Sequence, residues 1–183
     1  MSDQERLDQA IKYAVDCHAG QRRKGSGRPY ILHPLEVMTI LNGMGADTDL
    51  LIAGLLHDTI EDTGATREDI RSRFGENVAR LVTAHTEDKS RSWQERKSAA
   101  IEEVRQADRR LALLIMADKL SNLRSMERDF DAVGEKLWEY FHAPKDRQAW
   151  YYTEITGALK PFENDPHAGA CYEEIKSICS RLF

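Results

Sequence analysis

The sequence predicts an all-α fold, a single array of about 8–10 helices around one core. Three observations carry that expectation. Apolar residues recur at helical spacing along the whole chain. Strand signals, such as alternating β-branched runs or Asn-Gly hairpin turns, are almost absent. Capping residues, glycines and prolines punctuate the pattern at intervals of about one helix length.

In chain order, Leu7, Ile11, Ala14, Val15 and His18 share one face of a first helix that Gly20 closes. Residues 21–28, with Gly25 and Gly27, read as a loop. His33-Pro34 opens a second helix, with the proline in the tolerated first turn, and this helix ends near Gly43 and Gly45. A third helix is expected from Asp47 or Thr48 through Thr63. Thr66 with Asp69 is a capping-box pair that starts a short fourth. Further helices are expected at 76–86, 93–106 and 108–127. A looser stretch follows at 129–147, with Gly134 and Pro144, then helices at 146–160, stopping before Pro161, and 166–182. The last could pack on the domain or on a second copy, as a homo-oligomer.

Composition narrows the classes of function. The 183 residues fit one domain, expected to span 1–183 with its core at about 5–160. With 41% hydrophobic and 31% charged residues the chain is globular, and no stretch approaches the about 20 apolar residues of a membrane helix. The polar, acidic start predicts no secretory signal. Cys171 and Cys179 stand about 12 Å apart along one helix and cannot bridge within it, so with Cys17 they suggest a reduced, cytoplasmic setting. A net charge of −5 argues against nucleic acid. Basic residues nonetheless cluster at Arg22-Arg23-Lys24 with Arg28, and at Lys89, Arg91, Arg96 and Lys97, which suits a small polyanion. The bland reading of the first cluster is a solvated loop.

The chemistry concentrates where apolar runs end in acids. Leu50 to Leu56 is apolar or glycine, and His57 and Asp58 follow. Glu61 lies one turn beyond His57, and Asp62 one turn beyond Asp58. Leu111 to Ala117 is a second apolar run that ends in Asp118, with Asn122 one turn on. His33 follows the basic loop. Burying carboxylates calls for partners or a metal. Two imidazoles and two carboxylates without thiolate suit Mn²⁺, Fe²⁺ or Zn²⁺, and four donors leave two positions open on a six-coordinate ion. Isolated histidines (His18, His85, His142 and His167) read as structural or solvated, and Trp150-Tyr151-Tyr152 reads as core packing.

Residues 22–34 (Arg-Arg-Lys-Gly-Ser-Gly-Arg-Pro-Tyr-Ile-Leu-His-Pro), 57–63 (His-Asp-Thr-Ile-Glu-Asp-Thr) and 117–124 (Ala-Asp-Lys-Leu-Ser-Asn-Leu-Arg) resemble the hydrolase domain of RelA/SpoT-type enzymes. In size the chain resembles the small alarmone hydrolases, including the metazoan SpoT-homologue proteins. The resemblance covers about residues 5–160. It implies a helical His-Asp (HD) domain that binds Mn²⁺ and removes pyrophosphate from the 3′ position of guanosine tetra- or pentaphosphate. It makes His33, His57, Asp58 and Asp118 the metal ligands, and has Glu61 and Asp62 orient or deprotonate water. Arg23, Lys24 and Ser26, Lys89, Asn122 and Tyr151 would meet the nucleotide. Two departures stand out: the basic loop is one residue longer than in the long bifunctional enzymes, and Trp93 stands where some small hydrolases carry lysine. The length leaves no room for a synthetase domain, so hydrolysis without synthesis is expected. Relatives of the same class act on adenosine alarmones, nucleoside monophosphates or the 2′-phosphate of NADPH. A non-catalytic nucleotide-binding module is disfavoured, because every metal and Glu-Asp position holds a competent residue.

Overall fold

A computed structural model describes residues 1–23 and 25–183; Lys24 lies outside the described residues. The described residues contain helices and no strand. Their one isolated bridge, between Arg22 and Pro29, pins the base of the basic loop. Gly25 and Gly27 turn that loop with positive φ.

Side-chain caps set most of the helix starts. Helix α1 (Asp3–Cys17) begins at a Ser2–Glu5 capping box and ends ahead of Gly20, whose φ is +78°. Helix α2 (Leu32–Gly43) holds His33 and Pro34 in its first turn. Asp47 caps α3 (Thr48–Leu56) by accepting from the Leu50 N–H. Thr66 and Asp69 form the expected box at α5 (Arg67–Phe74), and Gly75, with φ +94°, separates α5 from α6 (Glu76–His85). Ser92 and Glu95 box the start of α7 (Trp93–Gln106), and Asp108 caps α8 (Arg109–Val133). Helices α9 (Lys145–Ala158) and α10 (Gly169–Leu182) complete the array.

The structure corrects three expected boundaries. The helix expected through Thr63 stops at Leu56, and a single turn, α4 (Thr59–Asp62), restarts after His57-Asp58. Thr59 Oγ1 donates to the Leu56 carbonyl at 2.7 Å and the His57 ring bonds the Gly54 carbonyl at 2.8 Å. Side chains thus take carbonyls that an unbroken helix would use. Helix α8 continues past 127 to Val133, because Met126 and Phe130 keep its apolar face at i, i+4 spacing against the core. The stretch expected to be loose is therefore ordered: a 3₁₀ helix spans Gly134–Tyr140, with Leu137 and Trp138 buried.

Helix α8 is the post around which the others stand. Every residue from Leu111 to Ser121 is buried, and α2, α3, α6 and α10 all pack against this helix. Helix α10 lies against α8 and α9 of its own chain. There Arg124 grips Glu174 through two bonds of 2.6 and 2.7 Å, and Phe183 stacks on Tyr152. No helix among the described residues is long and apolar enough to cross a membrane.

Helices α2 and α3 approach most closely at Gly54, where a Cβ would stand 2.5 Å from Leu41 Cδ1, in the fully buried core. Gly54→Val should therefore lower stability by about 2–3 kcal/mol, read as a reduced urea midpoint. An unchanged midpoint would show that the α2–α3 contact is looser than this packing.

Candidate active site

The site forms where five chain segments meet beside α8. The first turn of α2 brings His33, and the break after α3 brings His57 and Asp58. The end of α6 brings His85, and the middle of α8 brings Asp118, Lys119 and Asn122. The single turn α4 sets Glu61 and Asp62 alongside. A cleft of about 1100 Å³ opens from this point.

Four of the sequence-predicted residues converge tightly. His33 Nε2 stands 3.2 Å from His57 Nε2, 3.1 Å from Asp118 Oδ1 and 3.6 Å from Asp58 Oδ2. His57 Nε2 stands 3.0 Å from Asp58 Oδ2 and 3.7 Å from Asp118 Oδ1. Donor atoms held at about 2.1 Å from one ion lie about 3.0–3.4 Å apart, so this is the spacing of a coordination shell.

The tautomers agree with that reading. The Gly54 carbonyl can only accept, so His57 Nδ1 carries a proton and donates it at 2.8 Å. Ser121 Oγ gives its single proton to Glu36 Oε2 at 2.9 Å and therefore accepts from His33 Nδ1 at 2.9 Å. Neutral rings so held point two Nε2 lone pairs at each other and at two carboxylates, an arrangement that a cation resolves. Burial pulls the His33 ring below its ordinary pKa. At His57 burial also opposes the charge, but Asp58 and Asp118 outweigh it and push the ring up to about 10. The same carboxylates that attract a proton there would attract a metal ion. The residues present fit a divalent metal.

Asp118 is held from several sides. Asn122 Nδ2 and Lys119 Nζ each donate to it at 2.6 Å, and His85 Nε2 lies 3.3 Å from Oδ2. Burial alone would raise its pKa, yet the Lys119 charge and the rings hold it well below the usual carboxylate range. Tyr30 donates its hydroxyl to Asp58 Oδ2 at 2.6 Å and reaches Asp62 Oδ2 at 3.4 Å. Burial first, and then the Asp58 charge, push that phenol well up.

The expected nucleotide contacts fall into two groups. Arg23 and Lys89 line the cleft, as does Asn122. Arg23 Nη2 donates to Asn122 Oδ1 at 2.8 Å, and Lys89 Nζ donates to Asp62 Oδ1 at 2.6 Å. Ser26 is exposed in the loop and is not part of the cleft wall. Tyr151 is 2% exposed, with its ring under Lys97 and Lys119 at 4.9 and 5.7 Å, and does not line the cleft; Tyr30, Phe141 and Tyr152 do. Lys24 lies outside the described residues. Arg96 and Lys97 also line the cleft, clamped by Glu87 at 2.8 and 2.6 Å.

Glu61 accepts the Glu87 N–H at 3.1 Å and stands 3.7 Å from Lys89 Nζ. Burial raises its pKa, and the nearby acids add to that against the Glu87 N–H.

Sequence reasoning missed His85, Lys119 and Tyr30. His85 was read as an isolated histidine, although Val78, Leu81 and Val82 are buried ahead of it on α6, so that this helix too ends an apolar face in a polar side chain beside Asp118. Lys119 follows Asp118 in a helix buried on all sides, which forces the ammonium inward.

Comparison with known proteins agrees with the geometry. A family model described as HD domain matches residues 10–144. Guanosine-3′,5′-bis(diphosphate) 3′-pyrophosphohydrolase MESH1 of Danio rerio is 42% identical over 140 residues, 74% of this chain and 78% of that protein. The bifunctional (p)ppGpp synthase/hydrolase SpoT of Escherichia coli K12 is 41% identical over 128 residues, 67% of this chain but 18% of that longer protein. Among solved structures, a metazoan ortholog of SpoT that hydrolyzes ppGpp and plays a role in starvation responses superposes with a TM-score of 0.79 at 30% identity, covering 96% of this chain and 94% of that one. The chain belongs to the HD-domain family, in the branch that includes MESH1 and the hydrolase region of SpoT.

Proposed function

We propose that this chain is a metal-dependent phosphohydrolase that removes pyrophosphate from the 3′ position of guanosine 3′,5′-bis(diphosphate) and of the pentaphosphate, with His33, His57, Asp58 and Asp118 holding Mn²⁺. The convergence of two imidazole lone pairs and two carboxylates at the floor of a charged cleft carries this reading. The names of its relatives support the substrate.

A divalent ion held there supplies positive charge for phosphoryl oxygens and acidifies water. The chain's own residues do the rest. Glu61, with its raised pKa, is placed to accept the proton of the attacking water, and Asp62, anchored by Lys89, orients that water. Water adds to the phosphorus that carries the ribose 3′ oxygen. The bond to that oxygen breaks, pyrophosphate departs with the water's oxygen, and the proton that Glu61 accepted returns to the 3′ oxygen to restore the hydroxyl. Arg23, Lys89, Arg96 and Lys97 offset the charge of the phosphates, the last two by exchanging part of their hold on Glu87 for phosphate oxygens. Asn122, tied to both Arg23 and Asp118, links the nucleotide-facing loop to the metal ligands. Lys24 and Ser26 would extend the basic loop along the substrate, and Tyr151 would act from behind Lys97 and Lys119 as a brace. Catalysis of this kind is mostly positioning and electrostatics.

Purified protein with Mn²⁺ should release pyrophosphate and guanosine diphosphate from guanosine tetraphosphate, and chelation should stop the release. Turnover confined to adenosine alarmones or NADPH would keep the centre and overturn the substrate. No turnover of any of them would return the chain to a binding module.

Asp58→Ala should abolish both Mn²⁺ binding and turnover. Glu61→Gln combined with Asp62→Asn should retain Mn²⁺ while kcat falls about 10²–10⁴-fold, the range for loss of a positioned base. Wild-type kcat in that double variant would sink the role given to the two carboxylates.

A further inference from the structure

We propose that His85 is a fifth protein ligand of the same ion, which makes the centre a set of three imidazoles and two carboxylates. This inference rests on the metal reading above. Three observations carry it.

The first is position. His85 ends α6 with its side chain 9% exposed, its Nε2 3.3 Å from Asp118 Oδ2 and its ring 5.3 Å from the His57 ring. Its polar side-chain neighbours among the described residues include the two ligand candidates Asp118 and His57.

The second is the relation between two triads. Ligand atoms of His33, His57 and Asp58 all lie within 4.8 Å of one another, and so do those of His57, His85 and Asp118. Opposite donors on one six-coordinate ion with bonds of about 2.2 Å are about 4.4 Å apart, so the 4.8 Å that bounds each triad is close to the span of one coordination shell. His57 belongs to both triads but has one lone pair to give, because its Nδ1–H is committed to the Gly54 carbonyl. A ring with one lone pair serves one ion, so any metal that both triads hold through His57 is the same metal.

The third is Lys119, whose ammonium sits 2.6 Å from Asp118 Oδ2. That is the oxygen a second ion would need in order to use Asp118 as a bridge, and two cations on one carboxylate oxygen repel. The local charge favours a single ion with His85 in its shell over a pair of ions. Five protein donors leave one open position on a six-coordinate ion where four leave two, and a third imidazole shifts the set toward Zn²⁺ and Fe²⁺ relative to an oxygen-rich site.

The decisive measurement uses the unmodified chain. Metal-free protein labelled with ¹⁵N at histidine is titrated with Zn²⁺ alone, and the imidazole nitrogens that move to metal-bound positions are counted. Three rings shifting at one equivalent of Zn²⁺ supports the proposal; two rings, or saturation at two equivalents, overturns it. In parallel, Zn²⁺ affinity is measured by calorimetry for His85→Ala and His85→Gln. The expected loss exceeds the about 10–100-fold that removal of a residue merely hydrogen-bonded to a ligand costs, and wild-type affinity in both variants, or a loss within that range, overturns the proposal. Failure of the wild-type chain to bind Zn²⁺ or Mn²⁺ at all would be a different result, removing the metal centre itself and His85 with it.

Discussion

The two Nδ1 hydrogen bonds, from His57 to the Gly54 carbonyl and from His33 to Ser121, constrain everything around them. Each fixes a tautomer and leaves a lone pair on Nε2, and each ring is too buried to relax. The His57 bond also has a backbone consequence. It takes the carbonyl at which the next helical turn would close, so α3 ends there and Asp58 swings to the same point as its neighbour's ring. The chain then restarts for a single turn, just long enough to set Glu61 and Asp62 beside the centre. The second ring is anchored differently, through Ser121 to Glu36. Arg124 and Arg128 lie 3.5 and 3.7 Å from the Glu36 carboxylate, so α8 orients a ligand that belongs to α2.

The cost of gathering buried charge is offset by what lies behind it. Helix α3 buries Leu50, Ile52, Leu55 and Leu56, and α8 buries an unbroken run from Leu111 to Ser121. At about 25 cal/mol per Å² of apolar surface removed from water, such helices anchor firmly enough to carry polar groups at their ends and faces. The Asp118–Lys119 pair shows the condition. Burial opposes charge on both, and each holds the other ionised. Removing either partner would leave an uncompensated charge in the core, whereas Asn122 and Tyr30 donate ordinary hydrogen bonds to Asp118 Oδ1 and Asp58 Oδ2.

Much of this was legible because the sequence writes burial and function in the same place. An apolar run ending in His57-Asp58, and another ending in Asp118, mark where the core meets the cleft, and local caps such as Thr66–Asp69 mark helix starts. The break inside the third helix was not legible. Periodicity is blind to a side chain that captures its own backbone, and both His57 and Thr59 do so. The continuation of α8 was hidden by the polar run around Arg128 and Asp129, although Met126 and Phe130 kept the core-facing spacing. The place of His85 beside Asp118 was hidden by its isolation in sequence, since a residue contributed alone by its helix carries no local partner to betray it. Tyr151 and Tyr152 differ by one position, which on a helix is a turn of about 100°; both rings are buried, Tyr151 under Lys97 and Lys119 and Tyr152 against Phe183.

The mixed charge of the cleft is itself informative. Arg96 and Lys97 are not idle surface cations: both are largely buried and both are clamped by Glu87, whose carboxyl burial would raise but Lys97 above all holds low. Glu87 in turn donates its backbone N–H to Glu61. One residue therefore ties two cations of the cleft wall to the carboxylate proposed as the base. A polyanion that draws Arg96 and Lys97 toward itself loosens their grip on Glu87 and changes the field at Glu61 at the same time. The coupling runs through contacts of 3.1 Å or less, so in the proposed reaction substrate charge and the strength of Glu61 as a base would be linked by the protein and not set independently.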